Sequence, residues 1–318
     1  MKWLDFLRNW TLPVAIVTGT VAYLTFDLLP PLAGAAQVMG VFFDHFFPIT
    51  IFLTLFTTFV RIDYHALRPH RWHAVLLLAQ VGLVAVLCSV VWLCGEGRMQ
   101  GRLLTEAMLA CVIAPCASAA PVVTGKLGGN MAQMTLFTLL SGAWATVCIP
   151  LVFPMLEREA DITFLQAFLM IAQKVAAIIL LPLVLGWTVR HYMPRLRDWL
   201  IARRNLPFYM WAVSLAITTG ITVKNIMHTP ATPWLLLSIA AMSAVVCALQ
   251  FGLGRCIGRR WGDKVCCGQG MFQKNTGLAI WVTYMYLDPV ASVGAGCYVL
   301  WQNIVNSLEL WAYRKGRF

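Results

Sequence analysis

The chain has 318 residues, of which 60% are apolar and only 12% charged, about half the charged share of an ordinary soluble domain. A soluble protein of this length needs far more polar surface to cover its core, so the composition excludes a soluble enzyme, a disordered regulator and a secreted disulfide scaffold. The net charge of +11 comes from Lys and Arg clustered at the ends of apolar stretches, a membrane topology signal and not a nucleic-acid surface.

A bilayer core about 30 Å thick takes roughly 20 apolar residues per helix. By that measure the sequence predicts ten spans, at about Asn9–Leu32, Phe43–Val60, Trp72–Cys94, Leu103–Val123, Met131–Leu156, Phe164–Trp187, Pro207–Met227, Trp234–Gly254, Cys266–Leu287 and Val290–Trp311. Pro30, Pro31 and Gly34 part the first two, and Gly95-Glu96-Gly97-Arg98 parts the third from the fourth. The first stretch lacks a small-residue cleavage site and reads as a retained span.

With the N-terminus placed in the cytoplasm, the inward connections and both tails hold most of the basic residues: Lys2, Arg8, Arg61, Arg68, Arg71, Lys126, Arg190, Arg195, Arg197, Arg203, Arg204, Arg255, Arg259, Arg260, Lys264, Arg314, Lys315 and Arg317. Only Arg98, Arg102, Arg158 and Lys224 fall on the other side. Cationic loops resist translocation, so the expectation is an integral inner (plasma) membrane protein with both termini cytoplasmic. Trp3, Trp10, Trp72, Trp92, Trp187, Trp234 and Trp311 near span ends fit an interfacial aromatic belt. The ten cysteines show no CxxC or zinc-finger spacing and read as small packing residues.

Ten spans with both ends on one side divide into five and five, and an odd-numbered half repeated once inserts upside down relative to its twin. The expected fold is therefore all-α and polytopic: ten transmembrane helices as two inverted five-helix repeats. The fourth and ninth spans, at matching places in the halves, are both poor helices at mid-membrane. Pro115 and Pro121 interrupt the fourth, and the ninth carries Gln273, Lys274, Asn275 and Thr276 between Gly268, Gly270 and Gly277. Unwound backbone survives in a bilayer only against protein or a water-filled cavity, and a matched pair of such breaks points to a transport site.

Lys274 lies too deep for easy snorkelling, which gives it a cavity-facing role; Lys174 is as deep but has no broken backbone beside it. Gln302, Asn303 and Asn306 place three amides in the tenth span, as interhelical glue or as solute contacts. His65, His70 and His73 share a loop with Arg61, Arg68 and Arg71, which reads as a wet basic surface at the lipid and not as a metal site. No HExxH, GxSxG or intramembrane carboxylate pair is present, and the acidic residues fall in loops or near span ends, so the chain is not read as an enzyme.

At these residues the chain resembles the bile acid:sodium symporter family. Residues 114–130, APCASAAPVVTGKLGGN, align without gaps to that family's CPGGTxSNxxTYLARGN stretch. Gln273-Lys274-Asn275-Thr276-Gly277-Leu278 is similar to its GMQNSGL crossing, Trp301-Gln302-Asn303-Ile304 to its WHNI, and Ala79-Gln80 to its AQ.

The resemblance implies that helices four and nine are discontinuous and cross. It also implies a panel domain of helices one, two, six and seven (1–62 and 163–229) and a core domain of the rest (70–157 and 232–313), with breaks near 114–121 and 268–277. It implies alternating-access transport of a small or amphipathic organic anion, with Ser118, Asn303, Gln302 and Asn275 at the substrate and Gln80, Thr138, Gln273 and Lys274 at the ion-site positions.

Several of the family's oxygen ligands for sodium are replaced: a Ser-Asn pair by Ala120-Pro121, a serine by Met134, a glutamate by Gly270 (or, with a shifted gap, near Gln269), and the crossing glutamine by Lys274. The expectation is a carrier with no cofactor and no usual sodium coupling, in which the Lys274 ammonium stands where a sodium ion would and transport is either uncoupled or coupled to protons. Its partners are an organic anion and the lipid bilayer, with no nucleic acid. A ligand sensor on the same fold, and a sodium symporter with rearranged ion sites, are the alternatives.

Overall fold

The structure is a computed structural model that describes residues 11–94, 99–156, 163–203, 206–229, 231–261 and 263–316. Outside them lie the expected start of the first span at Asn9, the connection Gly95–Arg98, the belt residues Trp3 and Trp10, and the topology residues Lys2, Arg8, Arg158, Arg204 and Arg317.

The described residues form thirteen α-helices: α1 (Thr11–Leu28), α2 (Ala33–Phe59), α3 (Arg71–Cys94), α4 (Met99–Ile113), α5 (Ala120–Lys126), α6 (Met131–Leu156), α7 (Phe164–Tyr192), α8 (Pro194–Ala202), α9 (Leu206–Met227), α10 (Pro233–Trp261), α11 (Lys264–Phe272), α12 (Thr276–Tyr286) and α13 (Ser292–Arg314). Among them α3, α6, α7 and α10 are long and apolar enough to cross a membrane by length and composition. The 24 residues of α3 extend about 36 Å, more than a hydrocarbon core.

Each predicted span has a helical counterpart, with instructive differences at the edges. α2 begins at Ala33, ten residues before the expected Phe43, because Gly34 and Gly40 sit inside a helix that continues through Pro48. α8 is absent from the expectation: its Arg195, Arg197 and Asp198 made the segment read as a loop, whereas Pro194 opens a helix whose Leu200 is buried with Val60 and Val189.

Two compact units divide the chain, one of residues 1–61 and 182–230 and one of 62–181 and 231–318; the division runs through α7 rather than between helices. In the first, α9 packs on both α1 and α2. Gly19 of α1 lies so close to α9 that an added Cβ would sit 2.8 Å from the carbonyl carbon of Ala216, the close small-residue approach by which helices gain packing where lipid is as apolar as they are. The buried hydroxyls of Thr50, Thr54, Thr57, Thr218 and Thr222 turn back onto carbonyls of their own helices. Arg61 donates to the carbonyls of Leu200 (2.8 Å) and Arg203 (2.7 Å), closing the C-terminal end of α8.

In the second unit α10 packs against α11, α13 and α4, and α3 against α4. Gly294 of α13 abuts Ala107 of α4 (an added Cβ would meet its Cβ at 2.8 Å), and Gly254 of α10 abuts Met271 of α11 at the same distance. Replacing Gly19 by Val inserts two methyl groups and a Cβ where backbone already stands. The expected cost is about 1–3 kcal/mol, read as a lowered midpoint of thermal unfolding in detergent, with Gly82→Val, where nothing lies within 4 Å, as the tolerated control.

Candidate functional site

Two interrupted helices meet in the second unit. α4 stops at Ile113 and α5 starts at Ala120; α11 stops at Phe272 and α12 starts at Thr276. Between them Cys116 and Lys274 form an antiparallel bridge. The N–H of Ala117 donates to the carbonyl of Gln273 (2.8 Å), and that of Asn275 donates to the carbonyl of Pro115 (2.8 Å). The inner donors go to side chains of neighbouring helices: Cys116 N–H to Ser141 Oγ on α6 (2.9 Å) and Lys274 N–H to Gln302 Oε1 on α13 (3.1 Å). The pattern is two-fold: exchanging 115–117 with 273–275, and Ser141 with Gln302, maps each bond onto another.

The carbonyls left at the helix ends are also met. Gln80 of α3 donates its amide to Val112 O (2.8 Å) and Ala114 O (3.0 Å). Tyr298 of α13 donates to Phe272 O (2.7 Å), and Gln250 of α10 donates to Tyr298 Oη (3.0 Å) and Cys111 O (3.3 Å). At the restart of α12, Asn275 Oδ1 accepts from Leu278 N–H (3.2 Å).

The breaks differ from expectation in extent. Gly268 and Gly270 lie inside α11, leaving only Gln273–Asn275 unwound. Pro121 does not break its helix: it sits in the first turn of α5, where its missing N–H strands nothing, and Pro115 alone marks the gap.

Lys274 is 1% exposed, and its Nζ has no hydrogen-bond partner among the described residues; the thiols of Cys116 and Cys111 are its electrostatic neighbours. Gln80 Oε1 and Gln273 Oε1 are buried acceptors without a partner in the same crossing. Thr138 donates to Met134 O (3.0 Å) and approaches the Cys116 sulfur (3.7 Å).

Around these groups the positions that the resemblance matches to sodium ligands are dry. Ala120 and Met134 belong to one buried apolar cluster with Trp72, Leu76, Cys116, Phe137 and Met271. A Cβ added at Gly270 would press on Phe137 (3.0 Å) and Leu76 (3.3 Å), so the space beside it is already filled. Gln269, at the shifted position, donates to Asn306 Oδ1 (3.0 Å) and Glu309 Oε2 (2.6 Å), and Glu309 is ion-paired with Arg255.

Of the residues expected at the substrate, Gln302 is buried and holds the Lys274 backbone, Asn275 is half-buried at the start of α12, and Ser118 borders on full burial. Asn303 is half-buried and donates to Val299 O (2.8 Å) within its own helix. Asn306 serves as interhelical glue toward Gln269. Lys174 is exposed, with its Nζ 5.8 Å from the centre of the Tyr286 ring.

The histidines are not a wet loop throughout. His73 is 2% exposed in α3, accepts the His70 N–H at Nδ1 (2.8 Å) and meets Gln133 O through Nε2 (3.1 Å). Glu106 and Glu309, near span ends as read, are both buried; Glu106 pairs with Arg102 at 2.8 Å. Ser141, Gln250 and Tyr298 went unnoticed in the sequence. A signal for Gln250 existed: like Gln80, it is a lone amide in the third span of its half.

The profile of the Sodium Bile acid symporter family matches residues 48–230, more than half of the chain, including the first broken helix and its approach. The chain belongs to the sodium bile acid symporter family. It is thus an integral membrane protein and a membrane transporter of that family's type. No curated protein matches it significantly. The family match ends before the second broken helix, so the crossing itself rests on the geometry above.

Breaking one brace should loosen this member of the family measurably. Tyr298→Phe removes the donor from Phe272 O and should cost about 1 kcal/mol in thermal unfolding. Gln80→Leu, which strips donors from two carbonyls, should cost about twice that.

Proposed function

We propose that the protein carries a small or amphipathic organic anion across the inner membrane by alternating access, without the sodium coupling usual in the family. The observation that supports it most is the pair of interrupted helices joined at Cys116 and Lys274. A solute beside this crossing meets the positive dipole end of α12, the Ser118 hydroxyl and the amides of Asn275 and Asn303, a set that favours carboxylates and sulfonates. Gln302 contributes by holding the Lys274 backbone in place.

Every residue of the crossing falls in 70–157 or 232–313, which supports these segments as the core that carries the site; of the expected panel, 1–62 and 163–229, residues 163–181 fall in the same compact unit as the crossing. The approximate two-fold exchange of hydrogen bonds at the crossing supports two inverted five-helix repeats, and the placement of Lys and Arg supports cytoplasmic termini.

The coupling follows from what surrounds Lys274. Sodium needs a shell of oxygen ligands, and Ala120, Met134 and the packed space at Gly270 offer none. An ion 4 Å from the ammonium would meet a repulsion of roughly 4 kcal/mol at an effective dielectric near 20. The tethered cation supplies the positive charge and excludes a mobile one.

In proteoliposomes, uptake of radiolabelled taurocholate and of pyruvate should run at equal rates in sodium and choline buffers. Strong sodium dependence would sink the coupling reading, and no protein-dependent flux of either anion would sink the carrier reading. Lys274→Gln, which puts back the family's amide but removes the buried positive charge, should slow flux by about tenfold, a loss of about 1.4 kcal/mol.

A further inference from the structure

We infer that Lys174 of α7 is an anion-capture station, pairing with the carboxylate or sulfonate of a solute before that solute reaches the crossing. The inference rests on the carrier reading above and adds a binding residue to it, at the opposite end of α12 from Asn275.

Lys174 stands ten residues after Phe164, about 15 Å along a helix long and apolar enough to cross a membrane. An ammonium at that depth is costly against lipid, so such residues face protein or water and mark solute routes. Its place on α7 agrees. Ile171, Lys174 and Ile178 follow at helical spacing along one stripe, and both isoleucines are buried. Ile179 on the same side packs against Gly142 of α6. Lys174 itself is exposed, while the exposed Leu165 and Leu169 lie across the helix from it. The packed side of α7 therefore opens at this one residue.

The surroundings define what the opening takes. Among the described residues no carboxylate pairs with Lys174: Glu106 is held by Arg102, and Glu309 by Arg255. Lys174 donates no hydrogen bond among them either, and its Nζ lies 5.8 Å from the centre of the Tyr286 ring. That contact steadies the ammonium and leaves its N–H groups for a solute's oxygens. Tyr286 closes α12, whose eleven residues run about 16 Å from the crossing. Lys174, Tyr286 and the crossing all belong to one compact unit. A cation with unused donors thus stands at one end of the short helix whose other end carries Asn275.

Lysine is a compact point charge without the fork of arginine, so it reads charge and not shape. Small and bulky anions both use it. A fixed positive charge raises the local concentration of anions and hence their capture, and it leaves the later steps at the crossing alone. The signature is a lower capture efficiency with an unchanged maximal rate when the charge is removed.

The test is initial-rate uptake of radiolabelled taurocholate and pyruvate by the full-length protein in proteoliposomes at low ionic strength. Lys174→Gln should lower kcat/KM for both probes about tenfold, with kcat within about twofold and the midpoint of thermal unfolding unchanged. Lys174→Arg keeps the charge and should stay within about twofold of the parent chain, and Tyr286→Leu, which removes the ring, should lose about threefold. Raising choline chloride from about 20 to about 500 mM should shrink the Lys174→Gln deficit to about threefold, because an exposed charge is screened.

Parental kcat/KM in Lys174→Gln, a loss confined to kcat, a deficit that salt does not change, or an arginine variant as slow as the glutamine one would each overturn the inference and leave the carrier intact. Should Lys174→Gln lower the unfolding midpoint, the Tyr286→Leu deficit decides by the same salt dependence. Absence of protein-dependent flux in the parent chain for both probes overturns the carrier reading, and the inference falls with it.

Discussion

Everything in this structure depends on two interrupted helices satisfying each other's backbone. Inside a bilayer an unpaired amide or carbonyl costs several kcal/mol, so a single broken helix is a liability. Here Ala117 N–H finds Gln273 O and Asn275 N–H finds Pro115 O, each gap supplying the partner that the other lacks. Ser141, Gln302, Gln80, Gln250 and Tyr298 take up the groups that the bridge leaves over. The break is thereby compatible with a stable fold, and the start of α12 remains as a positively polarised helix end.

The same economy bears on the positions that the resemblance matches to sodium ligands. Losing an ion from a cage of oxygen ligands would leave those oxygens buried and unpaired, each at about 1–3 kcal/mol. Methyl and thioether groups at Ala120 and Met134 pack in one cluster with Phe137 and Leu76, and the Lys274 side chain is buried at the same crossing. Substituting both partners of a polar contact by apolar groups is close to neutral, whereas removing one is costly. Gln80 Oε1 and Gln273 Oε1 stay buried in the same crossing without a partner among the described residues.

Most of the architecture was legible before any coordinates. Hydrophobicity adds up locally, so a polytopic helical membrane protein with weak points at Pro115 and around Lys274 could be read from composition and spacing alone. The misreadings share one cause. Pro121, Gly268 and Gly270 carry helix-breaking chemistry, yet their local roles are decided by neighbours: a helix start at Ala120 for the proline, and Arg255 and Phe137 packed against the glycines. α8 was missed because Arg195, Arg197 and Asp198 make it locally polar, whereas it is held by a buried Leu200 and by Arg61, 139 residues away, at its C-terminal carbonyls.

The sequence by itself determined that this chain is a helical membrane protein, where most of its long helices run, which two are interrupted, and that Lys274 sits at the second break. Only the tertiary structure decided that the breaks pair with each other, which side chains close the open helix ends, and that Ala120 and Met134 share one buried apolar cluster. The reason is range. Propensity and hydropathy act over a helical turn or a span, whereas partners such as Gln250 and Cys111, 139 residues apart, are brought together by packing that no local pattern encodes.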